Sequence, residues 1–213
     1  MKTLRTLFSL LCLFAVVYEA KAQTEWGLIS GAGVKTSLSD KVSFGIDAEL
    51  RLRNDFKTME RWGGGFNVGY KLTSWLQANT GYRFLYFYDG GGSWRPGHRT
   101  FASLTGTYRF SGNIKASLRE RWQYTYTSGK GKNQLRSSLT LTYDRPKALL
   151  APYICFEMYN SWEVEKTRYI AGTNIHLSPH HTLNLFYRYQ DKRENSPTSV
   201  DTQSIGVVYT LKL

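Results

Sequence analysis

The run from Lys41 to Asn54 alternates without a break, and that alternation decides what the chain can become. Val42, Phe44, Ile46, Ala48, Leu50 and Leu52 fall on one side, and Ser43, Gly45, Asp47, Glu49, Arg51 and Arg53 on the other. Successive side chains of a β-strand point to opposite faces, so this is a strand with one oily face and one charged face. Slipping the register by one residue would exchange the two. In a bilayer the exchange would put the charges into hydrocarbon, at about 2–4 kcal/mol for each midplane Arg and somewhat less for the acids. A penalty on the order of 10 kcal/mol sets the apolar face toward lipid.

The same reading extends along the chain, where helical periodicity is scarce. Eleven strand-like segments emerge, at residues 25–37, 41–54, 61–72, 75–88, 98–110, 113–127, 134–143, 152–160, 167–177, 182–190 and 202–213. A tilted strand crosses a bilayer with about 9–11 residues. The fold expected is a transmembrane antiparallel β-barrel of 10–12 strands. Bacterial barrels favour even counts, so eleven leaves ten and twelve open as alternatives. An odd count, with the last strand running down to the periplasm, would start the chain outside the cell.

Connections at 39–40, 73–74, 111–112 and 178–180 read as tight turns, and those at 54–60, 89–97, 128–133, 161–166 and 191–201 as longer polar loops. Short periplasmic turns and long external loops are the habit of outer-membrane barrels; the connection at 144–151 breaks the rule. The last strand carries Ser204, Gly206, Tyr209 and Leu211, which match the polar-x-Gly-x-x-apolar-x-apolar signal read by barrel assembly machinery. Aromatic residues gather near segment ends. Trp62, Tyr86, Tyr88, Tyr124, Tyr126, Tyr187 and Tyr189 fall toward one rim, and Tyr70, Tyr108, Phe110, Tyr143 and Tyr209 toward the other. Two such girdles are what membrane interfaces select.

Residues 1–22 read as a signal peptide. Lys2 and Arg5 precede an apolar run from Leu7 to Val17, and Ala20-Lys21-Ala22 offers a small-x-small cleavage site. The run is too short for a transmembrane helix, which needs about 20 residues. Cys12 follows Leu11 rather than a small residue, so a lipoprotein anchor is not expected. Residues 23–213 then form one barrel domain in the outer membrane. Removing Lys2, Arg5, Lys21 and Glu19 from the 28 basic and 16 acidic residues leaves a net charge of +10. For an exported chain the partners implied are outer-membrane lipids and lipopolysaccharide, not nucleic acid. The remaining Cys155 excludes an internal disulfide or a dithiol redox pair. Oligomeric state leaves no mark on the sequence.

Alternation directs Asp47, Glu49, Arg51, Arg53, Arg83, Arg119, Arg121, Arg136, Glu157 and Arg188 into the lumen as a basic layer with embedded acids. Glu120 is a misfit that falls on the lipid side, and a bulge beside it would restore the pattern. Gly31, Gly33, Gly45, Gly63, Gly65, Gly69 and Gly81 face inward on the first four segments. A glycine series on one face marks close approach, here by arginine side chains or a bound molecule. The charged layer reads as a structural plug of ion pairs, as a narrow path or pocket for an anionic solute, or as surface contacts with lipopolysaccharide phosphates.

Catalytic and metal signals are faint. His180-His181 has no companion ligand, and no metal or cofactor is expected. Ser93, Ser103 and His98 are the residues that could meet as an outer-membrane acyl hydrolase, without a third orienting group. Asp89 to Ser93 is glycine-rich but lacks the Lys and helix of a phosphate loop, and reads as a flexible tip.

Several short runs occur together: Trp26, Glu49 to Arg53, Gly69-Tyr70, Gly81-Tyr82-Arg83, Arg119 to Trp122, Glu157, and Gly206 to Tyr209. In that order they resemble a family catalogued as domain of unknown function 2490, made of exported outer-membrane barrels. The resemblance implies location and architecture and carries over no functional residues. The expected role is a non-enzymatic barrel, structural or a small channel with a basic, largely plugged lumen. A lipid-modifying enzyme acting on lipid A or phospholipid is the alternative, and a secreted soluble barrel with an apolar lumen is a third.

Overall fold

The structure, a computed structural model, describes residues 24–161, 163–192 and 201–213. The expected signal peptide, its cleavage site and most of the 191–201 loop lie outside the described residues. Within them, eleven strands follow one another. They are β1 (Thr24–Ser37), β2 (Val42–Arg53), β3 (Thr58–Lys71), β4 (Leu76–Tyr88), β5 (Trp94–Arg109), β6 (Ile114–Thr127), β7 (Lys130–Tyr143), β8 (Leu150–Ser161), β9 (Glu163–His176), β10 (His181–Lys192) and β11 (Asp201–Lys212).

Each strand pairs with the next, and the sheet closes through β1 against β11. Sequential neighbours are antiparallel, but β1 and β11 run parallel, in register from Thr24↔Asp201 to Lys35↔Lys212. This is the geometric consequence of an odd meander, whose first and last strands must point the same way. The eleven segments read from the sequence are therefore all wall strands, and the preference for even counts is not kept.

Several strands are longer than alternation suggests. β7 begins at Lys130 and β9 at Glu163, so the loops expected at 128–133 and 161–166 contract, the first to Ser128-Gly129. Both of those residues have positive φ, 50° and 79°, which fits a two-residue type I′ hairpin. Beyond an apolar band both faces of a strand can be polar, so alternation fades while the backbone ladder continues. The expected contrast between tight turns and long loops fades with it. The loop at 89–93 is also not a free tip: Asp89 Oδ1 accepts from the Gly91 and Ser93 amides at 2.9 and 3.2 Å, and the Ser93 hydroxyl donates to Oδ2.

The molecule is inside out. Ile46, Leu118 and Ile154 are half or more exposed on the outer wall, whereas Glu157, Arg168, Arg188, Gln123 and Ser138 are buried. A soluble barrel with an apolar lumen would show the reverse. Outward aromatics pair near the strand ends: Trp62–Tyr86, Tyr86–Trp94 and Tyr88–Trp94 toward one rim, and Tyr108–Phe110 toward the other, with centroids 4.8–5.8 Å apart. The bulge anticipated at Glu120 is not there. Register runs uninterrupted through Leu104↔Glu120 and Glu120↔Ser137, and the carboxylate stays outside, accepting from Ser137 Oγ at 2.6 Å.

Bulges do occur at two other places, and each inserts an acid. Arg51 faces Arg61 and Leu52 faces Met59, leaving Glu60 as the extra residue. Tyr159 faces Lys166 and Asn160 faces Val164, leaving Glu165. A bulge breaks the two-residue period, so neighbouring residues can share one face.

Candidate functional site

A cavity of about 560 Å³ occupies the lumen. Its walls carry nine of the ten charges assigned to the lumen from the sequence: Asp47, Glu49, Arg51, Arg83, Arg119, Arg121, Arg136, Glu157 and Arg188. Arg53 lies apart from the cavity, near Gly90 of the 89–93 loop, where its Nη2 is 3.7 Å from where a Gly90 Cβ would be. The end of β2 rises past the cavity, so sharing parity with Arg51 does not bring Arg53 into it. Sequence reasoning missed Arg61, Arg99, Lys166, Arg168 and the ring of Tyr159, all of which line the space. The parity of Arg99 with Ser103 was the available signal for Arg99.

Two carboxylates act as hubs. Glu49 receives the Arg51 fork two residues along its own strand at 2.8 and 3.0 Å, Arg61 from β3 at 3.0 Å, and Arg83 from β4 at 3.7 Å. Arg83 also pairs with Asp47. Across the lumen, Glu157 on β8 takes Arg136 directly, Arg119 at 3.4 Å and Arg168 at 3.7 Å. Beside it the Tyr159 ring carries Arg136, Arg168 and Lys166 at 5.1, 4.5 and 4.5 Å from its centroid. Charge-assisted and forked contacts of this kind are the strong ones.

The hubs do not satisfy the whole lumen. Among the described residues no carboxylate lies within ion-pair distance of Arg99, Arg121, Lys166 or Arg188. Arg99 donates from Nε to Thr125 Oγ1 at 2.9 Å, Arg188 donates to Ser204 Oγ at 3.0 Å, and Arg121 lies over the Phe101 ring at 4.3 Å. The Nε atoms of Arg61, Arg119, Arg121, Arg136 and Arg188, and Ser103 Oγ, are buried without a protein hydrogen-bond partner. Buried donors are normally satisfied; Glu157 Oε2 is likewise unpartnered, so among the described cavity-lining residues unpartnered donors outnumber unpartnered acceptors.

Part of the opposite wall is glycine, and the space left is filled in two ways. Gly31, Gly33 and Gly45 line the cavity directly. Gly81 and Gly206 instead lie beneath aromatic rings: a Cβ on Gly81 would come 2.6 Å from Phe101 Cζ, and one on Gly206 would collide with Phe186. Rings as well as guanidinium groups therefore occupy the room the glycines leave.

The remaining candidates separate. His98 faces outward, its Nδ1 2.5 Å from the Tyr82 hydroxyl, while Ser103 is on the cavity side of the same strand and Ser93 is engaged by Asp89. The wall itself keeps Ser103 from His98, so the serine–histidine arrangement does not assemble. His180 Nδ1 contacts the Lys212 carbonyl at 2.9 Å and His181 Nδ1 the Tyr209 hydroxyl at 2.5 Å. Among the described residues no three metal-ligating side chains converge. Cys155 is a free, half-buried thiol. In the assembly-signal positions, Ser204 is buried, Gly206 receives the Phe186 ring and Tyr209 bonds His181.

A family model described as "Protein of unknown function (DUF2490)" matches residues 26–201. No curated protein matches in sequence. Among solved structures, LpxR from Salmonella typhimurium is similar, with a TM-score of 0.51 over 80% of this chain and 83% of that one, at 12% identity. At that identity the likeness is one of fold alone.

Proposed function

The chain belongs to the family described as protein of unknown function (DUF2490), and from the lumen it encloses we propose a non-enzymatic outer-membrane barrel that admits small anions. One observation carries this reading: the buried guanidinium groups of the lumen outnumber its carboxylates, and among the described residues none of those carboxylates lies within ion-pair distance of Arg99, Arg121 or Arg188. A purely structural plug would be expected to balance its charges, because an unpaired buried ion is costly. A path for anions needs the opposite, a cationic lining whose hydrogen bonds remain to be given. The outward apolar band and aromatic rims suit a bilayer, and the basic, apolar and small-residue pattern of residues 1–22 suits export. Contacts with lipid and lipopolysaccharide fall on the outer wall, and the assembly machinery would read the β11 signal.

The test is conductance of the refolded protein in planar bilayers with a salt gradient. Anion preference is expected, and neutralising Arg83, Arg119 and Arg121 together should weaken or reverse it. Cation preference in the unmodified protein would overturn the reading. The Tyr82–His98 pair on the lipid-facing wall is the observation that favours a lipid-modifying role instead. That role predicts altered lipid A or phospholipid on mass spectra of a deletion strain, not restored by His98→Ala.

A further inference from the structure

Resting on the reading of the lumen as an anion path, we propose that Ser103, Arg121 and Arg99 form a discrete seat for the phosphate group of a soluble phosphate or phosphate monoester. Ser103 on β5 and Arg121 on β6 are register partners, and both face the cavity. Ser103 is only 6% exposed, yet its Oγ has no hydrogen-bond partner, and the buried Nε of Arg121 has none either. Arg99 stands on the same face of β5, four residues before Ser103, with Phe101 between them. Arg51, Arg61, Arg83, Arg119, Arg136 and Arg168 meet Glu49 or Glu157; at Arg99 and Arg121 no carboxylate comes within ion-pair distance among the described residues.

The wall is shaped to hold Arg121 in place. Its guanidinium lies over the Phe101 ring at 4.3 Å, and that ring in turn lies over Gly81, where a Cβ would leave no room. A guanidinium stacked on a ring keeps its N–H edge for acceptors in its own plane. Both arginines and the Ser103 hydroxyl border the same lumen cavity, so their remaining donors are open to one ligand entering it. A single chloride would leave most of these donors unused, whereas the oxygens of a phosphate can accept from several directions. The ligand is soluble rather than lipid-borne, because the seat is on the lumen side while Leu104 and Trp122 of the same strands face outward. An acyl chain attached to the phosphate would have to enter a polar cavity.

The experiment is calorimetric titration of the refolded full chain in detergent with inorganic phosphate and with glycerol 3-phosphate, in a constant chloride background. Saturable binding is expected, weakened by about tenfold or more in Ser103→Ala, Arg99→Gln and Arg121→Gln. Arg53→Gln removes a charge of the same sign that lies apart from the cavity, near Gly90, and should weaken binding by less than about threefold. Ser103→Ala removes one oxygen atom and keeps the fold testable should an arginine variant fail to refold. Equal losses in Arg53→Gln and Arg121→Gln would replace the seat with diffuse charge. Anion-selective conductance without phosphate binding would overturn the seat and leave the lumen reading standing, whereas absence of both would end both. Short-chain phosphatidic acid competing as well as glycerol 3-phosphate would assign the seat to lipid head groups and overturn the soluble assignment.

Discussion

Replacing Glu157 with Gln keeps the shape of the side chain and deletes the charge that three arginines share. The carboxylate is 2% exposed, pairs directly with Arg136, and has Arg119 and Arg168 at 3.4 and 3.7 Å. Removing one partner of a buried ion pair costs about 3–5 kcal/mol, because the other charge is left uncompensated. Here three cations share one anion, but the cavity beside them admits water, which lowers the cost per cation. A destabilisation of about 3–5 kcal/mol is therefore expected for the cluster as a whole. Urea unfolding of the refolded protein in lipid vesicles, followed by tryptophan fluorescence and by heat-modifiable gel mobility, measures it. The same substitution adds one net positive charge to the lumen, so anion preference should rise while stability falls. A change under about 0.5 kcal/mol, the range of an exposed ion pair, would refute the idea that Glu157 is a buried organising charge.

The outer wall, the ring-over-glycine packing and the 89–93 loop each give a further test. Ile46→Arg places a cation on the half-exposed apolar band, and should cost about 2–4 kcal/mol in vesicle unfolding if the site lies near the midplane; a cost below about 0.5 kcal/mol would deny that Ile46 faces lipid. Gly206→Ala, which forces a Cβ against Phe186, should destabilise by about 1–3 kcal/mol. Phe186→Ala in the same chain should recover part of that, with a coupling of about 0.5–3 kcal/mol. Strictly additive effects would deny the packing. Asp89 is held down to about 2 by the Ser93 hydroxyl and the Gly91 amide, below an ordinary carboxylate near ~4. Its ordering of the loop is therefore complete above the ordinary value and is lost as pH falls toward 2. Exchange protection of the Gly91 amide should follow that course, and Ser93→Ala should move the loss to higher pH; an unmoved profile refutes the assignment.

The middle of the wall was the legible part of this chain, and the strand ends were not. Between Val42 and Leu52 each residue must be either oily or polar, so Ile46, Asp47, Glu49 and Arg51 announce their faces. Toward the rims this contrast vanishes: Lys130 and Lys132 of β7 and Val164 to Lys166 of β9 belong to strands, yet their composition suggests loops. The two bulges hid more. Glu60 and Arg61 are adjacent, as are Glu165 and Lys166, so a strict two-residue period would send one of each pair to the wrong side. Yet Arg61 lines the cavity and Glu165 accepts from the inward Gln134 at 2.5 Å. Arg168 was hidden differently. The faces of β9, with Arg168, Ile170 and Gly172 against Tyr169, Ala171 and Thr173, differ too little in polarity to be told apart. The convergence on Tyr159 of cations from β7 and β9 depends on sheet register, which no local pattern encodes.

The lone parallel pair determines where the two tethers of the meander leave. The start of β1 and the end of β11 emerge from opposite mouths, so no single rim gathers both. An insertion route that pushes hairpins through from one compartment must, for this topology, also draw a free end across. Epitopes placed ahead of Thr24 and behind Leu213 would accordingly report on opposite sides of a sealed vesicle, and a protease added to one side should remove one epitope and spare its counterpart.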